Sequence, residues 1–108
     1  MITSAFDSAG QRCSSLRILC LQDEIAEPVL HMLKGAMAEL SVGNPLLLST
    51  DIGPVINMNS KKFILNHIQS FREKGCKVFQ ACSQTMLDDL KGEYIAPTII
   101  ELSLLSQL

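Results

Sequence analysis

One stripe of apolar residues constrains this chain more than any other feature. Ile25, Val29, Leu33, Ala36, Met37 and Leu40 recur at spacings of three and four, which places them along one side of a helix of about four turns. Such a stripe is stable only against another apolar surface, so the helix belongs to a layered fold. Asp23 is a fair N-cap, and Pro28 then falls in the first turn or just beyond, where its missing N–H costs little if the helix starts near Glu24. Gly35 weakens the interior by up to about 1 kcal/mol relative to alanine.

Glycine and proline divide the rest into short alternating elements. Arg17 to Leu21 (RILCL) has the length and the neighbours of a buried strand. Ser41 to Pro54 is a loop, with Asn44-Pro45 and Gly53-Pro54 as its turn signals. Asn57 or Asn59 caps a second helix, with Phe63, His67, Ile68 and Phe71 as its inner face and Gly75 at its C-terminal end. Lys77 to Cys82 alternates like a strand, and Met86, Leu87 and Leu90 suggest a short helical turn within a polar stretch. Tyr94 to Leu102 is strand-like, and Pro97 puts it at an edge or a bulge. The order β-α-α-β-β fits part of an α/β layered domain.

Composition decides between a small complete domain and a piece of a larger one. The 108 residues are 47% hydrophobic and 5% aromatic, so any core is aliphatic. Charged residues make up 19%, below the usual quarter or so, although a small domain has much surface to solvate. That shortage favours a piece of a larger core, cut from the partners that cover its faces. The net charge of −2 provides no basic face for nucleic acid. Lys61, Lys62, Arg72 and Lys74 read as the solvated side of the second helix. No apolar run is long enough for a membrane span, and Met1 to Gly10 has no signal-peptide pattern. Cys13, Cys20, Cys76 and Cys82 form no metal-ligand rhythm, and His31 and His67 lie far from any tight cysteine pair. No metal is expected, and the cysteines read as reduced thiols in a cytoplasmic chain.

Chemistry concentrates in Phe6 to Ser15 (FDSAGQRCSS). Cys13 follows a glycine-led turn and precedes what reads as a short helix. Backbone N–H groups there would favour a thiolate, and Arg12 or Arg17 would add positive charge. That arrangement suits a nucleophile for covalent catalysis. On spacing alone the ordinary reading, a cysteine acting as a small buried hydrophobe, is the commoner one. Cys20 and Cys82 take that ordinary reading as packing residues, Cys76 as a half-exposed one, and Asp88-Asp89 as a turn or solvated face.

Phe6-x-x-x-Gly10-Gln11-x-Cys13-Ser14 resembles the cysteine active-site signature of the aldehyde dehydrogenase superfamily at every fixed position. The likeness runs on through Asp23-Glu24, Gly43-Asn44-Pro45, Gly53-Pro54, the second helix and its glycine, and Pro97-Thr98, in one register over the whole chain. Within the superfamily the wording is most similar to the L-glutamate γ-semialdehyde (pyrroline-5-carboxylate) dehydrogenase branch of the bacterial bifunctional proline-utilisation proteins. Thr3 to Ser14 (TSAFDSAGQRCS), His31 to Leu40 (HMLKGAMAEL) and Ser49 to Ile56 (STDIGPVI) carry that closeness.

The resemblance implies that residues 1–108 are a fragment of a Rossmann-like, mostly parallel α/β catalytic domain, running from the nucleophile loop through the strands and helices after it. It implies Cys13 as the nucleophile, with Phe6, Gly10 and Gln11 shaping its loop and the Cys13 N–H helping to hold the oxyanion. It implies Ser14 as a substrate-carboxylate contact and Ser60 as a contact of the cofactor NAD; the bland reading of each is an ordinary hydroxyl at a helix start. The partners of the parent are then the aldehyde and NAD. The dinucleotide-binding domain, the water-activating glutamate and the oxyanion-hole asparagine lie upstream in that family and are not among these residues. The isolated chain is therefore expected to be inactive. The rival readings are a redox or binding module with Cys13 as a sensor thiol, a remnant that self-associates through exposed apolar faces, and an aldehyde dehydrogenase of other specificity.

Overall fold

The computed structural model describes residues 1–108, which fall into two compact units, Met1–Pro54 and Val55–Leu108. The first unit opens with a short helix, α1 (Ile2–Phe6), which runs into a tight turn at Asp7–Gly10. The long helix α2 spans Asp23–Ala38, with Asp23 and Glu24 in its first turn, where carboxylates favour the helix dipole. Pro28 lies inside α2, where it forfeits the N–H bond that Glu24 O would have accepted. α1 packs against α2.

The apolar stripe of α2 is only partly covered. Met37 is fully buried, Val29, Leu33 and Leu40 are half-buried, and Ile25 is 47% exposed. Arg17 to Leu21 forms no strand: Ile18 and Leu19 are exposed, and so is Cys20, which was expected to pack. A strand is stable only with a hydrogen-bonded neighbour, and no segment of the chain pairs with this run. The loop after α2 is internally braced as its turn signals suggest. Asn44 Oδ1 accepts from Leu46 N at 3.0 Å, Asp51 Oδ2 accepts from Ser41 N at 2.8 Å, and Val42 and Ile52 form a parallel bridge.

The second unit holds α3 (Met58–Glu73), β1 (Lys77–Gln80), α4 (Gln84–Asp88) and β2 (Thr98–Glu101). Asn57 caps α3, its Oδ1 accepting from Ser60 N at 2.8 Å. At the other end Gly75, with φ +81°, closes the helix in a Schellman motif. Its N–H donates to Arg72 O at 3.0 Å and the next, from Cys76, to Phe71 O at 3.0 Å. The chain leaves this cap directly into β1, which pairs antiparallel with β2 in the register Val78 opposite Ile100. The class is α/β, and within these residues the sheet is this one antiparallel pair. β2 starts only after Pro97, which has no N–H to give a ladder; its carbonyl instead accepts from Ala81 N at 2.9 Å. α3 lies against β1, and Arg72 Nη2 donates to Gln80 Oε1 at 2.8 Å.

The buried face of α3 differs from the expected one. Ile68 and Phe71 are buried as anticipated, but Phe63 is 73% exposed and His67 is exposed, its ring edge-on to Phe71. Lys61 is buried in their place instead of lying on the solvated side. Positions 61, 64, 65, 68 and 71 share a face at helical spacing, whereas 63 lies on the other side. The Lys61 Nζ donates to Asp88 Oδ1 at 2.7 Å, and Gln84 Nε2 donates to the same oxygen at 3.0 Å. Gln84 also donates to Tyr94 O at 2.9 Å and accepts from Ala96 N at 2.9 Å. One glutamine thus ties α4 to the segment entering β2, and one lysine ties α3 to α4, over a core of Val55, Ile68, Phe71, Leu87, Tyr94 and Ala96. Asp88, read from sequence as a turn residue, is the acceptor on which both converge.

The hydrogen bonds from Lys61 and Gln84 hold the Asp88 carboxyl below its ordinary pKa. A carboxylate depressed in the folded state stabilises above its unfolded pKa and loses that contribution as pH falls through the folded value. Asp88 is half-exposed, so the effect is modest. Acid titration followed by circular dichroism is expected to show stability declining below the ordinary carboxylate range, and Asp88→Asn to flatten that decline. An unchanged acid limb in the variant would contradict this account.

Candidate functional site

Phe6 ends α1 half-buried, and the backbone then turns left-handed over three successive residues. Ser8 has φ 55° and ψ 30°, Ala9 φ 53° and ψ 34°, and Gly10 φ 68°. Left-handed backbone is uncommon for residues with a Cβ and costs on the order of 1–3 kcal/mol each unless the surroundings enforce it. The enforcement is visible in the hydrogen bonds. Ser8 O accepts from Gln11 N at 3.1 Å and from Gln11 Nε2 at 2.9 Å, and Ser8 Oγ accepts from Arg12 Nε at 3.1 Å. Leu16 N donates to Ser4 O at 3.0 Å, so the far end of the loop returns to α1.

Gly10 is buried in this bend, and a Cβ there would stand 2.9 Å from Ala5 O. No side chain fits between the bend and that carbonyl. The glycine of the motif therefore allows close backbone approach as well as positive φ.

From this base the chain makes a second turn, closed by Ser15 N donating to Arg12 O at 3.1 Å. Cys13 and Ser14 are its two central residues, and both are exposed. The short helix expected after the cysteine does not form; this single turn stands in its place. Cys13 is not a buried packing residue. It sits at the tip of a loop whose base is hydrogen-bonded. Arg12, considered from sequence as a charge beside the thiol, directs its Nε to Ser8, and Arg17 Nη1 lies beside Gly10.

Cys76 and Cys82 are half-buried, and burial raises the Cys82 thiol above its ordinary pKa. Ser60 belongs to the other unit, half-buried in the first turn of α3. Its N–H is turned onto Asn57, and no Gly-x-Gly-x-x-Gly turn opens either long helix. The residues present do not make a dinucleotide cradle by themselves. Sequence reasoning missed Ser8, whose only signal is its place two residues ahead of the glycine.

The sequence profile of the aldehyde dehydrogenase family matches residues 1–103. The chain belongs to the aldehyde dehydrogenase family. The enzymes of this family are oxidoreductases that act on aldehydes, and they are generally NAD(P)-dependent. The bifunctional protein PutA of Escherichia coli K12 is 55% identical over 111 aligned positions, which take in 100% of this chain and 8% of that protein. The malonate-semialdehyde dehydrogenase of Lacticaseibacillus casei is 35% identical, over 94% of this chain and 20% of that enzyme. A crystal structure of bifunctional proline utilization A superposes with a TM-score of 0.86 at 37% identity, covering 99% of this chain and 10% of that one. The chain thus spans about a tenth of the length of its PutA relatives. No helix in it is long and apolar enough to cross a membrane.

Two outcomes follow from this geometry. Gly10→Ala is expected to destabilise the full chain by about 1–3 kcal/mol in urea unfolding, because it adds both a left-handed Cβ and the clash with Ala5 O; a neutral result would mean that the bend relaxes freely. Peptide-resolved iodoacetamide labelling at neutral pH is expected to modify Cys13 before Cys82, since the raised Cys82 pKa leaves less of the reactive thiolate. Equal rates would contradict the burial of Cys82.

Proposed function

We propose that this chain is the nucleophile segment of an NAD-dependent aldehyde dehydrogenase that oxidises L-glutamate γ-semialdehyde, the open form of pyrroline-5-carboxylate, to L-glutamate in proline catabolism. The observation that carries the reading is the exposed thiol of Cys13 on a loop whose braced bend admits only glycine at position 10. The 55% identity to PutA supports the substrate.

In this reading the Cys13 thiolate attacks the aldehyde carbon, forming a C–S bond and turning the carbonyl oxygen into an oxyanion. The Cys13 backbone N–H helps to hold that oxyanion, where a fixed dipole stabilises charge that water would otherwise have to reorganise around. Collapse of the oxyanion back to a carbonyl would expel the aldehyde hydrogen as hydride to NAD held by the rest of the parent, leaving the acyl group on Cys13 as a thioester. Water then cleaves the Cys13 thioester, releasing the acid and restoring the thiol. Ser14 is the neighbour assigned to the substrate's α-carboxylate. Ser60 is assigned to the cofactor only as part of the assembled parent, since its N–H is already engaged.

The catalytic groups act as one unit, so the isolated segment is inactive. A second reading, a shorter semialdehyde as substrate, is favoured by the 35% identity to malonate-semialdehyde dehydrogenase.

A chimera tests both. With this chain in place of its counterpart in E. coli PutA, NADH formation from glutamate semialdehyde is expected, and Cys13→Ala is expected to remove nearly all of it. Ser14→Ala is expected to raise KM about tenfold, the loss of roughly one charge-assisted hydrogen bond. A chimera that folds but turns over only malonate semialdehyde would replace the first reading with the second. NADH formation that survives Cys13→Ala would end both.

A further inference from the structure

We infer that Ser8 is a positioning residue for Cys13, acting through a hydroxyl–guanidinium latch onto Arg12; the inference rests on the reading of Cys13 as the nucleophile. Ser8 accepts three hydrogen bonds: two at its carbonyl, from Gln11 N and Gln11 Nε2, and one at its hydroxyl, from Arg12 Nε. The donors belong to the two residues immediately ahead of Cys13. The Arg12 carbonyl, in turn, accepts from Ser15 N and closes the turn that carries Cys13 and Ser14. Arg12 is thus held at its side chain by Ser8 and at its carbonyl by Ser15, with the nucleophile next in the chain.

The conformation of Ser8 makes this geometry possible. In the left-handed region its hydroxyl reaches the side chain four residues on and its carbonyl points at residue 11. A residue held in that region despite its Cβ is over-determined by its surroundings, and such strain is characteristic of sites that pre-organise a reactive group. A loop tip fixed only by its own short turn would let the thiol wander. Misplacement of a reacting atom by about 1 Å costs on the order of a hundredfold in rate. The latch removes that freedom by fixing the residue before the nucleophile, without touching the substrate or the sulfur.

Ser8→Gly tolerates the left-handed backbone, keeps the accepting carbonyl and removes the whole CH2OH side chain, and Arg12→Leu, which leaves residue 8 untouched, separates loss of the latch from the added backbone freedom of glycine. In the full chain, amide hydrogen exchange of Ser15 N–H is expected to speed up about fivefold or more, while the amides of α3 hold their rates. Arg12→Leu is expected to give the same change, and the double variant no further one, because both remove one interaction. In the PutA chimera, Ser8→Gly is expected to lower kcat about tenfold with KM for the aldehyde unchanged, the pattern of lost positioning rather than lost binding. Unchanged Ser15 exchange, or single-variant effects that add in full, would overturn the inference. So would a loss confined to KM. If the unmodified chimera is inactive while the exchange results hold, the functional reading fails and the latch stands.

Discussion

The approach of the left-handed bend to the Ala5 carbonyl is the constraint on which the rest of the first unit's chemistry depends. A Cβ at position 10 would come within 2.9 Å of that oxygen, so the close approach exists only because glycine stands there. Once the bend is set, Ser8 faces the donors of Gln11 and Arg12, Leu16 returns to Ser4, and the intervening residues have little choice but to project. Exposure of Cys13 follows from this geometry. A cysteine in an unbraced apolar segment would gain by burial; here the loop it belongs to is tied down at both ends.

The second unit solves a different problem with similar economy. Its core is small and aliphatic apart from Phe71 and Tyr94, and polar side chains do much of the joining. Lys61 buries its stem and delivers its ammonium to Asp88, while Gln84 links Asp88 to the segment ahead of β2 that carries Tyr94 and Ala96. Gln80 receives Arg72 from α3 and reaches Thr98 across the sheet at 3.4 Å. These contacts fix where two short strands and two helices meet, a placement that four-residue strands with modest apolar faces would define poorly.

The exposed apolar residues give the chain its context. Leu46, Leu47 and Leu48 are all more than half exposed, as are Ile56, Phe63 and Met86. That distribution agrees with the low charge content and with a segment that spans a small fraction of its PutA relatives. It also explains why Arg17 to Leu21 was misleading. The run has a strand's composition, but a strand needs a hydrogen-bonded neighbour, and none of these residues supplies one. The inner face of α3 misled for a related reason. Aromatic residues at 63, 67 and 71 drew attention to one line along the helix, whereas the buried line passes through a lysine whose charge is met by Asp88.

What the sequence determined by itself is what depends on local chemistry. The caps of α3 at Asn57 and Gly75, the Asn44 turn and the break imposed by Pro97 are each set by one residue's backbone preference or hydrogen-bonding reach. The Phe6 to Ser14 motif was legible only as a likeness to a family signature, because its spacing is fixed within a dozen residues while its residue chemistry alone leaves the role of Cys13 open. Tertiary structure alone decided that β1 pairs antiparallel with β2, that Lys61 goes inward, that no strand forms at Arg17 to Leu21, and that Ser8 turns left-handed to reach Arg12. Each of these depends on a partner several to many residues away, and a periodicity within one segment holds no information about what stands opposite it.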